Sequence, residues 1–208
     1  MVSTKRYRRR PSHETHSHRL EACATTHRHR LPARATILYA LCVLYQPRLN
    51  IVLFQPEIPP NTGAIGRTCV AVAAKLWLVK PLGFRIDEKT LRRAGLDYWE
   101  HLEWEAVDNW QALTERLSLD RAWYLTKTAK RSYLDVNYEL GDTLVFGSET
   151  AGLPPWLLEP NRERAIRIPI RPQVRSLNLS NSAAILAYEA CAQWRRAGVL
   201  GPDEISDG

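Results

Sequence analysis

Three polar stretches of this 208-residue chain hold residue types able to grip a ligand and assist a proton transfer: Asn61–Arg67 (NTGAIGR), Gly147–Pro154 (GSETAGLP) and Pro169–Asn181 (PIRPQVRSLNLSN). Gly, Ser and Asn in loops bring backbone N–H and C=O groups close to a bound molecule, and Arg67 and Glu149 add a cation and a carboxylate. Several familiar chemistries are unsupported. Gly63 and Gly66 form only G-x-x-G, so the dinucleotide fingerprint is missing, and no G-x-x-x-x-G-K-[ST] loop occurs. Ser148 sits in GSETAG rather than G-x-S-x-G, and His101 is the only histidine after residue 48, which argues against a serine-hydrolase triad. Cys23, Cys42, Cys69 and Cys191 contain no C-x-x-C pair, so no zinc site is expected and a reducing compartment is the default. Each loop taken alone reads first as a turn.

The elements that must carry these loops follow from periodicity. LNIVLF (Leu49–Phe54) is a short apolar run of buried-strand type, and Lys75–Val79, Arg121–Thr126, Thr143–Phe146 and Ala165–Ile168 read as further strands. A strand is also expected near Glu100–Trp104, and a short helix at Glu88–Ala94. Ile65, Cys69 and Val72 fall at i, i+4, i+7 on a helix that Asn61 could cap, with Arg67 off that stripe. Asn109–Leu117 is helical. The last helix, Leu179–Ala197, puts Ala183, Leu186, Ala187, Ala190, Cys191 and Trp194 on one face, with Gly198 as its stop. Strands alternating with helices predict an α/β fold with a mainly parallel sheet and helices on both faces. Ligands in such sheets bind at the carboxyl ends of strands, where the three polar loops lie.

Taken together and in this order, NTGAIGR, LVFGSETAGLP (Leu144–Pro154) and IRIPIRPQVRSLNLSNSAAI (Ile166–Ile185) resemble the three motifs of the SpoU-type SPOUT RNA 2′-O-ribose methyltransferases. LNIVLFQPEIPPNTG and DEKTLRRAGLDYWEH (Asp87–His101) extend the resemblance to the TrmL-like subgroup, which methylates the wobble nucleotide of certain leucine tRNAs. The similarity spans about Leu49–Ala197. It implies a C-terminal segment threaded into a deep trefoil knot, S-adenosylmethionine as methyl donor without a metal, and a homodimer whose cofactor sites each lie beside the partner subunit. It also implies an anticodon stem-loop as the RNA partner. A 2′-O-methyltransferase for ribosomal RNA or another tRNA site is the nearest alternative, and an inactive RNA-binding relative is the alternative of another class.

The resemblance places the cofactor at Leu125, Gly147, Ile168 and Ser176, with Leu177 and Leu179 as neighbours. The residue types agree with this, because apolar Leu125 and Ile168 can sandwich an adenine while Gly147 lets backbone approach a ligand. Taken alone, the two apolar residues are better explained by core packing, and Ser176 could equally tie its own loop. Arg67, Asn61, Glu149 and Asn181 match the catalytic positions. A guanidinium keeps its proton, so Arg67 is better suited to holding a phosphate and lowering the energy of a developing alkoxide than to acting as a base. Asn61 could instead be a cap, Glu149 could brace Arg67 or the loop backbone, and Asn178 and Ser180 could cap the last helix. Lys127, Lys130, Arg131 and Arg175 are expected to meet RNA phosphates, as are Arg92, Arg93, Arg167 and Arg171. Tyr188 is expected to stack on or bond to the target nucleotide.

The net charge of +7 adds little to this. Residues 1–48 hold 10 basic and 2 acidic residues and five of the six histidines, leaving 19 basic against 20 acidic in Leu49–Gly208. Residues 1–34 lack apolar periodicity and read as a disordered extension. They would serve as a basic RNA-binding tail or a transit-like segment, or reflect an upstream start-site assignment. The expected organisation is an extension at 1–48, a methyltransferase domain at 49–197 and a tail at 198–208. The longest apolar run, Thr36–Tyr45, is too short for a bilayer span, and the cysteine usage makes a cytoplasmic setting the expectation.

Overall fold

A computed structural model describes residues 47–85 and 97–200. The helix expected at Glu88–Ala94, with Arg92 and Arg93, lies outside the described residues, as does the extension up to residue 46.

The apolar run Leu49–Phe54 forms strand β1, which pairs in parallel with β2 (Ala74–Val79) on one side and β6 (Thr143–Phe146) on the other. β3 (Trp104–Val107) lies beyond β2, while β4 (Ala122–Leu125), β7 (Ala165–Arg167) and the two-residue β5 (Arg131–Ser132) continue beyond β6. The sheet order is β3-β2-β1-β6-β4-β7-β5, and every pairing is parallel. Strand side chains alternate between faces, so Leu49, Ile51 and Leu53 enter one core layer and Val52 and Phe54 the other. Long helices α1 (Pro59–Val72) and α4 (Leu179–Arg196) cover the first layer. Short helices α2 (Trp110–Thr114) and α3 (Pro155–Leu158) contribute Leu113 and Leu157 to the second. This is the α/β architecture that the periodicity predicts.

The six residues expected on the inner face of α4 are all buried. The helix ends as expected: Gly198 has φ 70, its N–H donates to the Arg195 carbonyl, and the Val199 N–H donates to the Trp194 carbonyl. The strand expected near Glu100–Trp104 is displaced. Asp97–His101 curls into a 3-10 turn, and the strand starts only at Trp104. The reason is packing: Trp99 and Leu102 seat against Gly66 of α1, which an extended chain from Glu100 would not permit.

At the amino ends of the strands, Asp142 is fully buried and accepts from Arg121 Nε at 2.6 Å, Trp123 Nε1 at 3.1 Å and the Glu139 N–H at 3.0 Å. The hydrogen bond to Asp142 raises the Arg121 guanidinium above its usual range. Asp142→Ala would leave these donors without their acceptor. We expect urea denaturation to show a loss of roughly 1–2 kcal/mol, because the Trp123 and Glu139 donors lose their acceptor while the half-exposed Arg121 guanidinium turns to water.

Candidate active site

The winding of the chain reverses at β1, whose neighbours are β2 on one side and β6 on the other, and the loops leaving β1 and β6 face each other there. Pro59 and Pro60 open α1, where missing N–H groups cost nothing. Ile58 is the N-cap and offers no side-chain cap. Glu149, from the loop after β6, stands in for one: its Oε2 accepts the Glu57 N–H at 2.8 Å and its Oε1 the Ile58 N–H at 3.3 Å. A carboxylate at a helix amino end is favoured by the helix dipole. In return, the Glu57 carboxylate accepts from the Thr150 N–H at 3.1 Å and from the Thr150 hydroxyl. The two loops are thus clasped in both directions.

Asn61 is not the cap of α1. It lies inside the helix, 7% exposed, and its Nδ2 donates to Glu149 Oε1 at 2.9 Å. Its Oδ1 accepts from Asn178 Nδ2 at 2.9 Å. Asn178 is in turn the N-cap of α4, with Oδ1 accepting the Ser180 and Asn181 N–H groups. One polar chain therefore runs from the third polar stretch through the first to the second. Glu149 braces the loop backbone and Asn61 rather than Arg67.

The loops after β1, β4, β6 and β7 surround a cavity of about 570 Å3. Leu125, Gly147, Ile168, Ser176, Leu177 and Leu179, the six positions assigned to a cofactor by resemblance, all line it. Leu125, Phe146, Leu153 and Ile168 supply apolar wall, and Lys127, Glu149, Ser176 and Asn178 supply polar rim. Size and lining suit a ligand with a flat apolar part and a charged tail. Gly147 meets a second need as well: a Cβ there would lie 2.0 Å from the Gly152 carbonyl carbon, so its missing side chain makes room for its own loop.

Two expected catalytic residues lie apart from this cavity. Asn181 is exposed and absent from its lining, whereas Asn178 lines it. Arg67 is exposed on α1 and lines a second, open cleft of about 470 Å3 with Ala64, Thr68, Ala71, Tyr98 and Tyr188. Its guanidinium lies over the Tyr98 ring, 4.8 Å from the centroid. Lys130, Arg131 and Arg175 are exposed, and Arg131 lies over Trp123 at 5.7 Å. Burial raises the Cys69 and Cys191 thiols, so neither described cysteine is a ready nucleophile. Glu57, Thr150, Asn178 as a link and Tyr98 are the contributors that residue patterns missed. The signal each carried was its place in a stretch that resembles the family: Glu57 in LNIVLFQPEIPPNTG, Thr150 in GSETAGLP, Asn178 in PIRPQVRSLNLSN and Tyr98 in DEKTLRRAGLDYWEH.

The SpoU rRNA Methylase family matches residues 48–188, which contain every residue lining the two clefts. The chain belongs to this family. A tRNA (cytidine(34)-2'-O)-methyltransferase of Saccharophagus degradans is 47% identical over 156 residues, covering 73% of this chain and 97% of that protein. A solved structure concerned with 2-OH methylation of C/U34 on tRNA matches with a TM-score of 0.67 at 38% identity, over 73% of this chain and 99% of its own. The AdoMet-bound rRNA methyltransferase of Sinorhizobium meliloti shares the fold, with a TM-score of 0.61 at 23% identity over 74% and 57% of the two chains. For this SpoU chain, all three polar loops lie within the matched residues and follow the carboxyl ends of β1, β6 and β7.

Proposed function

We propose that this protein is a tRNA 2′-O-ribose methyltransferase acting on the wobble cytidine or uridine. The observation that carries the reading is that all six residues matching the family's cofactor positions line one cavity at the carboxyl ends of the strands, joined by the Asn178–Asn61–Glu149 chain. S-adenosylmethionine bound there supplies a methyl group made electrophilic by its sulfonium. Leu125 and Ile168 hold the flat apolar part, and the polar rim of Ser176, Asn178 and Lys127 holds the charged tail. Asn61 and Glu149 keep the loops in the geometry that forms the cavity mouth.

A ribose 2′-OH is a weak nucleophile until its proton leaves, so orientation and charge stabilisation matter most. Arg67 holds the adjacent phosphate and stabilises the developing alkoxide, whose proton passes to water in the open cleft as the oxygen takes the methyl group and the sulfonium leaves as a thioether. Lys127, Lys130, Arg131 and Arg175 bind flanking phosphates, and Tyr188, 48% exposed beside Arg67, stacks on the nucleotide. Within one chain Arg67 lines a different cleft from the cavity, which supports a homodimer in which the partner subunit completes each site.

Incubation of the protein with labelled S-adenosylmethionine and total tRNA, followed by mass spectrometric mapping, should place a 2′-O-methyl group at the wobble ribose. Label appearing in ribosomal RNA but in no tRNA would overturn the reading.

A further inference from the structure

We propose that Tyr98 is a positioning residue that holds Arg67 in its working orientation, an inference resting on the role given to Arg67 above. The Arg67 Cζ lies 4.8 Å from the Tyr98 ring centroid, inside the range at which a ring face attracts a guanidinium. The ring is itself anchored to the helix it serves. The Tyr98 hydroxyl donates to the Gly63 carbonyl at 2.7 Å, one turn before Arg67 on the same face of α1. The neighbouring residue fixes the turn from the other side, because a Cβ on Gly66 would come within 3.1 Å of the Trp99 ring and 3.0 Å of Leu102. The turn Asp97–His101 is therefore seated on the stretch Gly63–Arg67 by three separate contacts.

Arg67 needs such a device. It is exposed, and among the described residues it has no salt bridge to restrict it. A long surface side chain samples many rotamers, and a cation that must meet a developing charge is effective only if held in place beforehand. Stacking on a pinned ring narrows that freedom while leaving the guanidinium N–H groups at its edge free to donate. Tyr98 does not line the cofactor cavity, so its effect falls on the chemical step and not on the cofactor.

The test compares Tyr98→Leu with Tyr98→Phe in the full chain. Loss of the ring in Tyr98→Leu should lower kcat by about tenfold, while KM for S-adenosylmethionine stays unchanged. Tyr98→Phe keeps the ring face and should stay within about twofold of the parent kcat. The Arg67 Nε–Hε resonance, assigned with Arg67→Lys, should carry a ring-current shift that disappears in Tyr98→Leu and persists in Tyr98→Phe. A Leu variant with parental kcat overturns the proposal. So does a Phe variant as impaired as Leu, because the ring face held to bind Arg67 would still be present. If the parent protein methylates no tRNA, the functional reading fails, while the resonance comparison still tests the stacking.

Discussion

Gly147→Ala should all but eliminate cofactor binding. The methyl carbon would stand 2.0 Å from the Gly152 carbonyl carbon, 2.2 Å from the Leu153 nitrogen and 2.4 Å from the Gly152 oxygen. Backbone cannot rotate away as a flexible side chain can. The loop is also closed by its own bonds, with the Gly152 N–H on the Ser148 carbonyl at 2.9 Å and the Ala151 N–H on Ser148 Oγ at 3.2 Å. Relief of the clash must open this loop. Glu149 then leaves Glu57, Ile58 and Asn61, and Leu153 loses its place in the core. Overpacking of this kind costs about 3 kcal/mol, which corresponds to about a hundredfold weaker binding if it falls on the ligand-competent state. Isothermal titration with S-adenosylhomocysteine measures it. Parental affinity in the alanine variant would mean that the loop does not cross itself as described.

How much of this site could be read from the sequence depended on the distance between the partners. β1 was legible because a six-residue apolar run states its own burial, and α4 because six inner-face residues repeat at helical spacing. The 3-10 turn at 97–101 was not, since what curls it is contact of Trp99 and Leu102 with Gly66, more than 30 positions earlier. Asn61 shows the same limit more sharply. Its neighbours suggest a helix cap, and its actual partners are Glu149 and Asn178, 88 and 117 positions away. Gly147 reads from its type as a place where backbone approaches a ligand, and the structure adds that its own loop fills the space a side chain would need, which a residue type does not say. The family resemblance grouped the three loops, but the polar chain that joins them, including Glu57 and Thr150, emerges only when their side chains are placed.

Arg67→Ala should lower turnover by about 10³-fold with little change in cofactor affinity, the loss typical of removing one group that stabilises developing charge. The separation of effects follows from the two clefts. Arg67 shares its cleft with Tyr98 and Tyr188, and no residue of that cleft lines the cavity holding the six cofactor positions. Its side chain is off the buried stripe of Ile65, Cys69 and Val72, so truncation removes no core packing and should leave the unfolding midpoint in place. Arg67→Lys distinguishes two roles for the cation. A lysine retains a point charge for a phosphate but lacks the planar fork and stacks less well on Tyr98, so recovery of most activity would indicate simple charge attraction. Recovery of little would indicate that orientation of the guanidinium is what the reaction uses. Single-turnover methylation, with cofactor affinity measured separately, reads both. Unchanged single-turnover rates in Arg67→Ala would remove Arg67 from the mechanism and leave the polar rim of the cavity to activate the ribose.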